Sequence, residues 1–363
     1  MKQTFPVKTS PRVQNTTRTL YWVKRVTLVA ACLIFTGSMV VAYVVIQGRS
    51  IVSQHEASYM VASHEIGDAL SSTTPDTFPI GVNPHTKLIA EDPALAEFVD
   101  EHVLPTDGSL SVLHTNFFTR VLGKLALHSW YQNIAMLSSR VLVIEPGERK
   151  EQVADNFAKI LNWNAEEKDD FLERIKNEAP TLEEGKLFPG TYTTSRDATP
   201  SDVAPLVLEK FNNAVLARYT PSIEAQVPLN DTLVIASLLE REARDFDDMR
   251  HISGVIWNRL FAGMRLQIDA TLQYAKGTKS RSAWWPRVLP ADKYVVSAYN
   301  TYKHDGLPPT PIANPSLEAI IAALNPVSTD CMFYFHDSKG GFHCTVTYEE
   351  HVALLKQYYG RGK

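Results

Sequence analysis

The sequence predicts an α+β protein with a single N-terminal transmembrane helix, and three observations carry that reading. Val26 to Ile46 is a run of 21 residues without a charge. Near residue 140 the apolar spacing switches from three and four residues to a short β-rich run, Val141-Leu142-Val143-Ile144. Near the C-terminus, CMFYFHDSKGGFHC is hairpin-like. Helices and strands in one exported chain define a mixed α+β architecture.

Composition sets the outer bounds. The chain has 363 residues, 44% of them hydrophobic and 21% charged, enough apolar mass for a core. That excludes a disordered chain, a collagen-like repeat and a multispan transporter. Lys plus Arg is 36 and Asp plus Glu is 40, a formal net charge of −4. So balanced a chain has no electrostatic footprint for nucleic acid, and no nucleic-acid partner is expected. With three cysteines it is not a disulfide-stapled mini-scaffold.

The elements follow in order. Residues 1–25 form a cytoplasmic N-terminus carrying Lys2, Lys8, Arg12, Arg18, Lys24 and Arg25. Residues 26–46 match the roughly 20 residues that a spanning helix needs. The positive flank places the N-terminus inside and the rest outside the cytoplasm. The run is longer than a signal-peptide core and no A-x-A site follows, which favours an uncleaved anchor. Residues 49–80 read as a polar stalk with Ser71-Ser72-Thr73-Thr74-Pro75. Residues 81–180 combine helical stretches (ALAEFVDEHVL, NFFTRVLGKLALHSWYQNIAML) with a βα module. In that module the β run and the turn Glu145-Pro146-Gly147 lead into two helices, KEQVADNFAKILNW and AEEKDDFLERIKNE.

Residues 181–363 form the largest unit. It opens with the turn-rich LEEGKLFPGTY and a helix, SDVAPLVLEKFNNAVLARY. Asn230-Asp231 offers an N-cap to the next helix, TLVIASLLEREARD. The Pro-rich YNTYKHDGLPPTPIANP follows, a rigid path suited either to a ligand wall or to a connector. Cys331 and Cys344 flank the hairpin-like stretch. A disulfide there depends on register, which sequence leaves open.

TLVIASLLERE carries the candidate chemistry. Glu240 and Glu242 end an otherwise apolar helix, and burial raises a carboxyl pKa toward what a general acid needs at neutral pH. Salt bridges to Arg241, Arg244 or Arg259 are the structural alternative. The helical wheel leaves the choice of acid open. Burial favours Glu242, whereas the small neighbours Ala236 and Ser237 leave room for substrate beside Glu240.

Taken in order, ASLLERE (236–242), WNRLFAGMRLQIDATLQYA (257–275), AYNTYKHDGLPPTPIANP (298–315), AALNP (322–326) and TYEEH (347–351) resemble the motifs of endolytic murein transglycosylases, the YceG-like or MltG family. LEEGKLFPGTY resembles that family's LEG-x-x-FP-x-TY segment. The resemblance is good over 182–355, loose over 140–180 and slight over 50–139. It assigns the catalytic acid to the first glutamate, Glu240. It also implies a LysM-like glycan-binding reading of the βα module and a catalytic domain over 181–363.

The implied reaction is non-hydrolytic cleavage of the MurNAc–GlcNAc β-1,4 bond of peptidoglycan with a 1,6-anhydro product, ending nascent glycan strands. The implied place is a bacterial inner (cytoplasmic) membrane with the catalytic domain periplasmic or otherwise extracytoplasmic, and the implied partners are peptidoglycan glycan strands and cell-wall synthases. No cofactor or metal is required, and the histidines lack metal-ligand spacing. Asn258, Arg259, Gln267, Asp269, Asn300, Tyr302 and Asn314 fall in the matching motifs and are the candidates for substrate binding. A non-catalytic glycan-binding scaffold is the alternative. A hydrolase is a third reading, with Asp269 its candidate second carboxylate. Two departures stand out: Gly340-Gly341-Phe342-His343-Cys344 differs from the family's C-terminal pattern, and Ser316 stands where the family commonly has Gly.

Overall fold

The computed structural model describes residues 76–103, 139–178, 184–277 and 284–360. The anchor expected at 26–46, nearly all of the stalk and the stretch NFFTRVLGKLALHSWYQNIAML lie outside the described residues. Among the described residues no helix is long and apolar enough to cross a membrane.

In chain order the elements are β1 (Val82–Asn83), β2 (Leu88–Ile89), α1 (Leu95–His102), β3 (Ser139–Ile144), α2 (Lys150–Leu161), α3 (Ala165–Glu178), β4 (Gly190–Ser195), α4 (Pro200–Ala214), α5 (Pro221–Gln226), α6 (Leu229–Glu242), α7 (Phe246–Phe261), α8 (Asp269–Lys276), α9 (Leu317–Leu324), β5 (Phe333–His336), β6 (Phe342–Thr345) and α10 (Tyr348–Tyr359). The strands form three two-stranded antiparallel sheets among the described residues, β1–β2, β3–β4 and β5–β6. Helices and separate antiparallel ribbons make the protein α+β, as expected.

Two apolar cores organise it. The larger gathers α6, α7 and α9, whose apolar faces bury Leu233, Ile235, Leu238, Ile252, Trp257 and Ile320. Thr232 through Leu239 are all buried, so α6 is surrounded on every side. Phe78, Val82, Leu95 and Phe98 join this core, so the chain from the end of the expected stalk already packs on the large unit.

The second core sits between the β3–β4 ribbon and α2, α3 and α4, with Leu142, Phe157, Phe171, Tyr192 and Val207 inside. Its chain runs on past residue 180, because β4 pairs with β3 from Ser139↔Ser195 to Ile144↔Gly190. LEEGKLFPGTY, expected as a connection, thus supplies an edge of the module. The helical reading of the sequence saw α2 and α3 but missed the partner strand, whose GTYTTS is mostly polar.

Local chemistry explains the boundaries. The α6 helix begins at Leu229, so Asn230 and Asp231 lie in its first turn rather than at its cap. An acid there suits the positive end of the helix dipole. Thr347 caps α10 through a capping box, accepting from Glu350 N at 3.3 Å while its own N–H donates to Glu350 Oε2 at 3.1 Å.

The register question at the hairpin is answered by a Cys331–Cys344 disulfide, with the two Cα atoms 5.7 Å apart. The bridge spans a sequence separation of 13 residues. Replacing both cysteines with Ser should lower the unfolding free energy by about 2–3 kcal/mol. Thermal unfolding under non-reducing conditions checks this, and an unchanged midpoint would refute it.

Candidate active site

Glu240 leaves the last turn of α6 toward the start of α9. Its Oε2 accepts two hydrogen bonds from one residue, Ser316 N at 2.9 Å and Ser316 Oγ at 2.6 Å. Ser316 is also the N-cap of α9, its Oγ accepting from Ala319 N at 3.2 Å. Oε1 of Glu240 takes no hydrogen bond from the described residues, which leaves one oxygen fixed and the other available. Burial pushes the Glu240 pKa up and outweighs the two Ser316 donors and Arg241, which pull it down; Glu318 adds to the rise.

The other wall is the turn of the module. Gly147 has φ +80°, and a Cβ there would lie 3.5 Å from Glu240 Cγ and 3.2 Å from Arg241 Nη1. Only a residue without a side chain fits that turn against the acid without strain. The turn is tied to the Pro-rich loop by Gly147 N to Asn314 O (2.9 Å) and Asn314 N to Glu148 O (2.8 Å). Beside it, Arg241 stacks on Trp285 at 4.0 Å, and Trp285 Nε1 donates to Gln152 Oε1 at 3.1 Å.

Glu242 points elsewhere, toward α8 and β5. Its Oε1 accepts from Ala270 N and its Oε2 from Tyr334 Oη, each at 3.3 Å. Burial, with Asp269 adding, pushes its pKa up to about 7. Both acids are therefore poised, but Glu242 has both oxygens engaged in packing contacts and Glu240 has one free. This geometry separates the two residues that the helical wheel left tied.

The seven polar candidates fall into two groups. Four have their side-chain polar groups committed to the backbone. Asn258 Nδ2 donates to Thr329 O (2.6 Å) and Cys331 O (3.1 Å). Arg259, 7% exposed, donates to Met332 O and Leu266 O. Asn300 Nδ2 donates to Lys293 O and Val295 O, and its Oδ1 accepts from Tyr302 N. Asn314 accepts from Leu187 N and donates to Glu148 O. These residues hold the hairpin and the Pro-rich loop in place. The other three sit nearer solvent on the Glu242 side: Gln267 and Asp269 are exposed, and Tyr302 Oη donates to Asp269 Oδ1 at 2.6 Å.

The space expected beside Ala236 and Ser237 is occupied. Ser237 Oγ accepts from Ile312 N at 3.0 Å, so the small residues admit the Pro-rich loop rather than a ligand. That loop is a structural wall whose far end delivers Ser316 to the acid. A surface hollow of about 330 Å³ lies elsewhere, lined by Asn258, Phe261, Ala262, Thr329, Asp330 and Met332.

Sequence reasoning noticed Ser316 only as a departure, and it missed Gly147, Trp285 and Glu184. Glu184 is 1% exposed, and its Oε1 accepts from Lys150 N at 2.8 Å, at the start of α2. No sequence signal joins residues so far apart as 147, 240, 285 and 316.

Fold and site together define a mixed α+β protein that presents one oriented carboxylic acid from the end of a buried helix, walled by a module turn and a Pro-rich loop. The chain belongs to the YceG-like family, whose model matches residues 119–357. It is 36% identical over 176 residues to an endolytic murein transglycosylase of Bacillus subtilis, covering 48% of each chain. A Streptococcus pneumoniae protein of the same name is 31% identical over 169 residues, 46% of this chain and 31% of that one. The chain thus spans about half or less of the length of the curated relatives it matches. The crystal structure of a YceG-like protein from Listeria monocytogenes aligns with TM-score 0.53 and 27% identity, over 64% of this chain and 81% of that one.

Proposed function

We propose that the chain is an endolytic peptidoglycan lytic transglycosylase that cleaves the MurNAc–GlcNAc β-1,4 bond with Glu240 as its acid and base. The carrying observation is the asymmetry at Glu240. Ser316 fixes Oε2 with two donors, Oε1 is free to hold a proton, and burial raises the pKa. The names of the relatives supply the substrate class.

In the first half, the Glu240 proton passes to the glycosidic oxygen as the C1–O bond breaks. In the second, the carboxylate takes the proton of the C6 hydroxyl as O6 bonds to C1 of the same sugar. No water is consumed, and Glu240 ends protonated again. One carboxyl serves twice because the substrate supplies the nucleophile. Ser316 stabilises the carboxylate formed between the halves.

The wider setting is part of the same proposal. Residues 26–46 anchor the chain in the bacterial inner membrane with the N-terminus cytoplasmic and the site in the periplasm. The β3–α2–α3–β4 unit is the LysM-like, glycan-contacting module. Gln267, Asp269 and Tyr302 contact the strand, while Asn258, Arg259, Asn300 and Asn314 position the elements that flank it. Cleavage ends nascent strands alongside cell-wall synthases. The glycan-binding scaffold gives no use for an oriented acid.

Incubation of the full-length chain with uncross-linked glycan strands in ¹⁸O-water tests the reaction. Anhydro ends without ¹⁸O support it, and reducing ends carrying ¹⁸O would mean hydrolysis. The pH profile gives a second check. Activity needs protonated Glu240, so the rate falls as pH rises through its pKa. Ser316→Ala removes a donor that favours the carboxylate, so the alkaline limb should move to higher pH. An unmoved limb would mean that Ser316 does not act on Glu240.

A further inference from the structure

We propose that Arg241, braced on Trp285 beside Glu240, is a substrate-binding residue that recognises a carboxylate on the glycan strand. This rests on the reaction proposed above and adds to it a requirement for an anionic substrate.

Position is the first argument. Arg241 and Glu240 flank the same turn, since a Cβ on Gly147 would touch both side chains. A guanidinium there lies beside any sugar that the acid can reach.

The second argument is the state of the guanidinium. Its plane is set by the Trp285 ring at 4.0 Å, and Trp285 is itself tied to Gln152 of the module. Arg241 Nε is buried without a hydrogen-bond partner. Among the described residues Arg241 forms no ion pair with a carboxylate. Burial disfavours its charge, and only the neighbouring charges of Glu240 and Glu242 offset that. A stacked guanidinium with an open fork matches a carboxylate, which accepts two parallel N–H bonds.

Other arginines provide the contrast. Arg149 stacks on Tyr274 at 4.0 Å in the same way, but its Nη1 donates to Tyr274 O and Gly277 O, and its Nε pairs with Glu151 at 3.4 Å. Arg259 is bound to carbonyls. Arg149 Nε also lacks a hydrogen bond, but both arginines give other donors to backbone carbonyls of the fold, whereas Arg241 gives none to the described residues.

Charge balance is the third argument. When Glu240 carries the proton it is to donate, Arg241 loses its nearest counter-charge. A substrate carboxylate restores neutrality in the state that is ready to react. A muramyl sugar without a stem carries such a group on its lactyl ether; where a stem is attached that carboxyl is an amide, and the stem carries the free carboxylates. A strand of N-acetylglucosamine alone carries none.

The test measures binding in a background that cannot cut. Full-length Glu240→Gln protein in detergent is titrated with stem-bearing strands, with stem-stripped strands whose lactyl carboxylates are free, and with neutral β-1,4-N-acetylglucosamine oligomers. Arg241→Met should weaken binding of the carboxylate-bearing strands tenfold or more and change the neutral oligomers less than twofold. Loss on stem-stripped strands alone assigns the lactyl carboxylate, loss on stem-bearing strands alone assigns the stem, and loss on both assigns a site that takes either carboxylate. An equal loss on all three substrates, or no loss, overturns the proposal. Trp285→Leu removes the brace and keeps the charge; it should give threefold or greater weakening with the same selectivity, and it carries the test if Arg241→Met does not fold. Cleavage by the parent is scored separately, so failure of the reaction and failure of anion recognition give different results.

Discussion

Glu240→Gln is expected to reduce strand cleavage by about a thousandfold or more, the scale of a lost general acid and base. The substitution keeps the volume and an acceptor for the Ser316 donors but removes the transferable proton. Binding and unfolding should change little, because Glu240 makes no packing contact that glutamine cannot keep. Glu242→Gln is the control. Its carboxyl is held by Ala270 N and Tyr334 Oη, so its loss should act through stability and leave a large part of the rate. If Glu242→Gln abolished cleavage and Glu240→Gln kept it, the assignment of the acid would be reversed.

The second large effect concerns stability. Glu184 is fully buried, and burial, with Glu151 adding, pushes its pKa up to about 8, while Lys150 and Arg149 pull it down. The folded state therefore binds this proton more tightly than the unfolded chain does. The linked stability is fully present below the unfolded pKa, near the ordinary carboxyl value of 4.5, and is lost as pH rises through about 8. The loss across that window is of the order of a few kcal/mol.

Glu184→Gln keeps an oxygen for Lys150 N and removes the charge. Its unfolding midpoint should match the parent's at pH 5 and exceed it by several degrees at pH 8.5. Parallel curves for the two proteins across this range would contradict the assignment. The group sits where LEEGKLFP passes between the α2 N-terminus and the Pro-rich loop. There Gly185, at φ +87°, allows Pro311 within 2.9 Å of where a Cβ would be. The same titration thus reports on the seam between module and large unit.

What could be read in the sequence follows from the range of the interactions. The apolar spacing of α2, α3 and α6 is local, and each helix lies close to where it was expected. The Pro-rich loop was legible because proline fixes φ without help from the fold. The β4 strand was not, because a mostly polar six-residue edge gains its identity only by pairing with β3 across 46 or more residues of chain. The site shows the same division. The motif delivered Glu240 and Glu242 and the resemblance chose Glu240, but only three-dimensional partners give that choice a physical reason. Asn258 and Arg259 sit in the strongest motif after α6, yet their acceptors are carbonyls at 329, 331, 332 and 266. Ser316 was visible as an unusual residue, but its bond to Glu240 joins positions 76 apart.

Product analysis of the full-length parent and Glu240→Gln on the same uncross-linked glycan strands tests the central claim most directly. The account predicts internal fragments ending in 1,6-anhydro-muramic acid from the parent and intact strands from the variant. Reducing ends from the parent, or anhydro fragments from Glu240→Gln at the parent's rate, would contradict it.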